Sequence, residues 1–160
     1  MKKIVISTCL SMSLFVASSI AKECIMVEDL NVEFNNASAV YSNDSERQEI
    51  INFAKFMKET NVYAVVEGHT SSLDNAAYNY KLSTKRAVKV MQELKNLGVK
   101  KSHVRAMGFG ESSPLYTNNT QEGAAQNRRV IAEVFNSAEE LDAYMKSQKS
   151  KIKDILLTEQ

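Results

Sequence analysis

The 160-residue sequence is poor in the side chains that most often do chemistry, with two histidines, two cysteines and no tryptophan. His69 and His103 stand far apart, and with Cys9 and Cys24 they show no spacing of a metal site. No Gly-x-Ser-x-Gly run is present, so His69 has no nucleophile elbow to serve. These absences argue against an enzyme and against a bound metal or cofactor. Net charge is nearly absent too, at +1 from 20 basic and 19 acidic residues. Such a chain has no global field to hold nucleic acid. Whatever it binds, local groups must hold. No internal repeat or low-complexity linker interrupts it.

Long apolar runs are missing except at the start. Residues 1–21 read as a cleaved secretory signal, with Lys2 and Lys3 as the basic segment, an apolar stretch from Ile4 to Val16, and Ser19-Ile20-Ala21 as a small-residue cleavage site. The stretch is short for a membrane span and is broken by Ser and Thr. A lipid anchor is disfavoured, because Lys22 and Glu23 precede Cys24 where small residues would be required. Loss of the two signal lysines takes the charge from +1 to −1. The mature chain then keeps Cys24 alone, which forms no internal disulfide. Its thiol is either half-buried near the terminus or paired with another molecule. The expectation is an exported, soluble protein with no transmembrane span after cleavage.

What is present, with 44% apolar and 24% charged residues, is a globular pattern of alternating strands and helices. Residues 31–34 alternate, with Val32 and Phe34 inward. A helix capped by Asn43 or Ser45 is predicted to residue 58, with Ile50, Ile51, Phe53, Ala54 and Met57 on its apolar side. Residues 61–67 form a central strand, 68–74 a loop, and 75–97 a long helix. That helix buries Leu82, Ala87, Val88, Val90, Met91 and Leu94 and stops at Gly98. Strands at 104–109 and 128–134 flank a loop region and a helical turn at 121–126. The implied class is α/β or two-layer α+β, with helices packed on a sheet. Residues 22–136 are read as the domain and 137–160 as an amphipathic C-terminal helix. Its stripe of Leu141, Tyr144, Met145, Gln148, Ile152, Ile155 and Leu156 fits its own domain, an envelope protein partner or a membrane surface.

The residues that could bind a ligand surround the His69 loop. Asn79 and Arg86 are seven residues apart, two turns along one helix face. Arg128 and Arg129 open the last strand, where alternation sends one to each face, so one of them can join Arg86. Two guanidiniums and an Asn make a carboxylate-sized site. The alternative is a structural ion pair from Arg86 to Glu67 or Asp74.

The order GHT, YNYKLSTKRAVKV, GFGESSP and NRRV, running from Gly68 to Val130, resembles the OmpA-like peptidoglycan-associated domain family. The resemblance covers roughly residues 30–134. It implies a β-α-β-α-β unit with an additional strand, a mixed sheet, and non-catalytic binding of the peptide stem of peptidoglycan through diaminopimelate. By position, Arg86 would take the diaminopimelate carboxylate, and the residue after GHT, here Ser71, would take the ammonium. Asn79 and Arg128 fall at further family positions, and Thr70 and Phe109 at positions lining the same pocket.

Two departures stand out. The family has Asp where this chain has Ser71. A charge-assisted hydrogen bond contributes about 1.5–3 kcal/mol against about 0.5–1.5 for a neutral one, so binding should weaken about 5- to 30-fold. The family also often has Gly where Asp74 stands. Asp74 either restores part of the missing charge or caps the helix beginning near Asn75. The rival reading is a stator, ring or other assembly module whose pocket is vestigial and whose contacts are made to proteins.

Overall fold

The computed structural model describes residues 29–158, without the side chains of 151 and 153–158. The expected signal, Cys24, and the side chains of Ile155 and Leu156 lie outside the described part. Among the described residues, strands β1 (Asn31–Glu33), β2 (Tyr63–His69), β3 (Val104–Gly110) and β4 (Arg129–Phe135) form one sheet in the order β1-β4-β2-β3. β2 is central, as its continuous apolar run predicts. It runs parallel to β3, and the crossover this requires is helix α2 (Ala76–Asn96). β4 is antiparallel to both β2 and β1. The sheet is therefore mixed.

Helix α1 (Ser45–Thr60) is preceded by Asn43, whose Oδ1 accepts the Ser45 N–H at 2.9 Å, and ends on Asn61 in the left-handed region at φ 55°. Asn tolerates that conformation. It is the reason β2 begins at Tyr63 and not at Asn61. At its other end β2 continues through Gly68 and His69, where a loop was expected, because Gly68 still pairs with Gly108 and Val130.

The main core lies between the sheet and α1 and α2, and includes Val32, Phe34, Ile50, Phe53, Ala64, Val66, Ala87, Val90, Leu94 and Val130. Two sequence expectations fail here. Ile51 and Val88 are exposed, while Phe56 on α1 and Ser83 and Arg86 on α2 are buried. The buried stripe of α2 runs Asn79, Ser83, Arg86, Ala87, Val90, Leu94. Its spacing is helical, but its N-terminal half is polar, which apolar periodicity alone does not register.

A second, smaller core occupies the opposite sheet face. Alternation along β2 turns Val65 away from Ala64 and Val66. Val65 packs with Met107, Phe109, Leu141 and Ile152 beneath helix α4 (Ala138–Thr158), with Tyr144 and Met145 alongside. The apolar stripe that the sequence also offered to an envelope partner is thus used, at these residues, by the chain's own sheet. Burying Leu141 contributes about 1.5–3 kcal/mol to that docking. Short helix α3 (Gln121–Asn127) precedes β4, with Thr120 Oγ1 accepting the Gly123 N–H at 3.1 Å.

Candidate functional site

Two glycines set the geometry. A Cβ on Gly68 would stand 2.0 Å from the carbonyl oxygen of Ser83, and one on Gly108 would stand 2.2 Å from Thr84 Oγ1. Helix α2 therefore lies directly on the backbone of β2 and β3, and its polar first half hangs over the ends of those strands. Ser83 Oγ accepts the Gly110 N–H at 2.9 Å, and the Thr70 N–H donates to the Gly110 carbonyl at 2.8 Å. Gly110, at φ 57°, adopts the left-handed conformation that glycine takes without strain.

Arg86 is fully buried at the centre of this corner. Its Nε donates to the Ser38 carbonyl at 2.8 Å, Nη1 to the His69 carbonyl at 3.2 Å, and Nη2 to the Asn35 carbonyl at 3.0 Å. The guanidinium carbon lies 5.2 Å from the centroid of the Phe34 ring. Three of its five N–H donors are thus engaged. No ion pair to Glu67 or Asp74 is formed among the described residues, which removes the structural salt bridge considered from the sequence. Burial, and then the nearby Arg128 guanidinium, push Arg86 down to about 10. Arg128 is thus near enough to act on Arg86 electrostatically.

The Asn35 and Ser38 carbonyls come from a strap between β1 and α1, and the His69 carbonyl from the end of β2. Besides Asn35 and Ser38, this segment accepts from Lys89 Nζ at the Ala39 carbonyl (3.0 Å) and from Tyr78 Oη at the Ala37 carbonyl (3.5 Å). Three α2 side chains hold it. Ala37 sits at φ 50°, an unfavourable region for a residue with a Cβ. The strap presents oxygens to Arg86 in the way a bound carboxylate would.

Thr70, Ser71 and Asn79 are buried around the same corner. Thr70 Oγ1 and Arg128 Nε are buried with no hydrogen-bond partner, and such orphans mark places where a polar group is wanted. Asn79 Nδ2 donates to the Asp74 carbonyl at 2.9 Å and also to the Glu111 carboxylate. Asp74 does not cap α2. Asn75 does, its Oδ1 accepting the Tyr78 N–H at 2.9 Å. The Asp74 carboxylate is exposed and makes no ion pair among the described residues. Asn is as good a cap as Asp, and here it stands one residue closer to the helix.

Glu111 is the residue that sequence reasoning missed. It stands within GFGESSP, directly after the left-handed Gly110, and that adjacency was the available signal. Its carboxylate sits by the first turn of α2, where the helix dipole favours an anion.

Phe109 is not brought to this corner. It stacks on His69 with ring centroids 5.3 Å apart and an interplanar angle of 19°, inside the core beneath α4. The period of two along a strand puts its side chain on the other face of the sheet. That face carries its own polar group. Tyr144 Oη donates to Glu67 Oε1 at 2.6 Å. Burial, with Glu133 adding to it, pushes Glu67 up to about 7. Burial and Arg129 push His69 down to about 3. His69 Nε2 is 3.9 Å from Glu67 Oε2, but a neutral imidazole makes this no ion pair near pH 7.

Comparison with known proteins agrees with this fold. The OmpA family model matches residues 34–128, more than half of the chain. Outer membrane porin F of Pseudomonas aeruginosa is 43% identical over 108 residues, covering 66% of this chain and 30% of that protein. The probable lipoprotein YiaD of Escherichia coli is 38% identical over 101 residues, covering 62% of this chain and 46% of its own length. This chain therefore spans less than half the length of either. Among solved structures, the peptidoglycan-associated lipoprotein of Burkholderia pseudomallei aligns with TM-score 0.62 at 25% identity, covering 66% of this chain and 89% of that one. The C-terminal domain of Helicobacter pylori MotB aligns with TM-score 0.62 at 27% identity, covering 81% and 95%.

Proposed function

The chain belongs to the OmpA family, and from that premise we propose that it is a non-catalytic envelope protein that binds the peptide stem of peptidoglycan at the Arg86 corner. The observation that carries this reading is a fully buried Arg86 guanidinium at a corner where Thr70 Oγ1 and Arg128 Nε are buried without hydrogen-bond partners. A diaminopimelate carboxylate displaces the strap carbonyls and receives two parallel N–H donors from Arg86, the strongest way a guanidinium holds a carboxylate. Arg128 adds charge. Ser71 offers the ammonium only a neutral acceptor, and Glu111, held by Asn79, supplies the counter-charge that Asp74 was considered for. Location in the periplasm, after removal of residues 1–21, belongs to the same reading.

A second reading has one specific observation in its favour. Arg86 is closed off by its own strap, as expected of an assembly module that keeps the fold and no longer uses the pocket.

Co-sedimentation with purified peptidoglycan separates the two. The native chain should sediment, Arg86→Ala should lose at least about tenfold in affinity, and Ser71→Asp should gain about 5- to 30-fold. Glu111→Gln, which keeps an acceptor for Asn79, should weaken binding while Asp74→Ala should not. An Arg86→Ala variant that sediments like the native chain would show the pocket to be misassigned. A native chain that does not sediment, with a gain in Ser71→Asp, would leave the vestigial pocket.

A further inference from the structure

Helix α4 covers Val65, Met107 and Phe109 but leaves the β4–β1 side of the same sheet face open. A cavity of about 730 Å³ lies there, within the range of small-ligand sites. Its floor is Ile131. At one end stands Arg129, which is 4% exposed, with Leu115 and Tyr116 beside it. At the other stand Glu133 and Asp29.

Arg129 is the unusual member. Its Nη2 makes one long hydrogen bond, 3.3 Å to the Ser113 carbonyl, and its Nε and Nη1 are buried without any partner. A buried guanidinium with orphan donors is costly unless something completes it. Glu33 is its Cα partner across the β1–β4 ladder, yet no ion pair joins them among the described residues. Glu67 acts on it electrostatically but spends its carboxylate on Tyr144.

The wall beside Arg129 is rigid. Asn127, fully buried, accepts the Leu115 and Tyr116 N–H groups on Oδ1 at 3.0 and 3.1 Å and donates from Nδ2 to the Tyr116 carbonyl at 2.8 Å. The cavity is thus polarised, seeking an anion at Arg129 and a cation at Glu133. The two positions are four residues apart on one strand, about 13 Å between Cα atoms. An extended tripeptide spans about 10 Å, and the inward reach of both side chains covers the remainder.

We propose that this cavity is a second binding site, one that takes a short zwitterionic peptide with its carboxylate on Arg129 and its ammonium on Glu133. It is separate from the Arg86 corner, because Arg86 is buried on α2 and Arg129 lines the cavity with Ile131 and Glu133 on the other face of the sheet.

Calorimetric titration of the full chain with trialanine, its N-acetyl form and its C-terminal amide tests this. Trialanine should bind at up to millimolar concentration, and each blocked form should bind at least about tenfold more weakly. Arg129→Gln should erase the difference between trialanine and its amide. Glu133→Gln should erase the difference between trialanine and its N-acetyl form. Glu133 is exposed, so that variant and the blocked peptides carry the test even if Arg129→Gln does not fold. Equal binding of the blocked peptides, no binding of trialanine, or loss of binding in an Arg86→Met chain shown to be folded would overturn the proposal.

Discussion

Arg86 and Arg129 are both buried in one small domain, and their surroundings could hardly differ more. Arg86 has each nitrogen on a main-chain carbonyl and a phenyl ring nearby, and strap Asn35–Ala39 shuts it in. Arg129 has one long hydrogen bond and an open cavity. A guanidinium whose every nitrogen is held by its own chain supports the fold and must be uncovered before it binds. One left with free donors contributes little to the fold and is ready for a ligand. Burial alone separates neither role. The partner count does.

The largest effect should come from removing Arg86. Arg86→Met leaves three carbonyls without their charged donor and should cost about 3 kcal/mol in denaturant unfolding, whereas Arg129→Met should stay within about 1 kcal/mol of native. Equal costs would break the comparison. Gly68→Ala acts on the scaffold both share. Driving a methyl into the Ser83 carbonyl should cost about 1–3 kcal/mol, read in the same assay.

The polar face beneath α4 predicts a pH signature. Glu67, raised from 4.5 to about 7, favours the folded state at low pH and loses that contribution as pH rises from 4.5 through 7. His69, lowered from 6.5 to about 3, acts oppositely, so its contribution is present above 6.5 and lost as pH falls toward 3. Between 4.5 and 6.5 the two oppose each other, and stability should be nearly flat. In Glu67→Gln the His69 slope stands alone, and stability should rise by on the order of 2 kcal/mol across that interval. A flat Glu67→Gln profile would show that His69 is not held neutral. The smallest effect concerns the strap. Ala37→Gly relieves a left-handed Ala and should stabilise by up to about 1 kcal/mol, provided the strap is seated on Arg86 as described.

Much of this was legible beforehand. The continuous apolar run of β2, the αL stop at Gly98 and the run of family motifs pointed to the layer order, and the seven-residue spacing of Asn79 and Arg86 put both on one buried stripe of α2. Three things were not legible, each for a physical reason. Val88 was assigned to the core because it is apolar, while Ser83 and Arg86 fill that stripe with polar atoms paired to the Gly110 N–H and to the strap carbonyls. Phe109 was assigned to the corner because its motif neighbours are there, but strand alternation turns its ring to the other face. The role of Glu111 depends on Gly110 adopting a positive φ, which no periodicity reports.

The central claim is that Arg86 and Arg128 still recognise a stem-peptide carboxylate. The most direct measurement is an NMR titration of the native chain with two soluble stem peptides, one with diaminopimelate at its third position and one with lysine, which lacks that carboxylate. The account predicts that the diaminopimelate peptide binds at least about tenfold more tightly and shifts the Arg86 and Asn35–Ala39 signals as the strap opens. Equal affinities, with those signals unmoved, would contradict it.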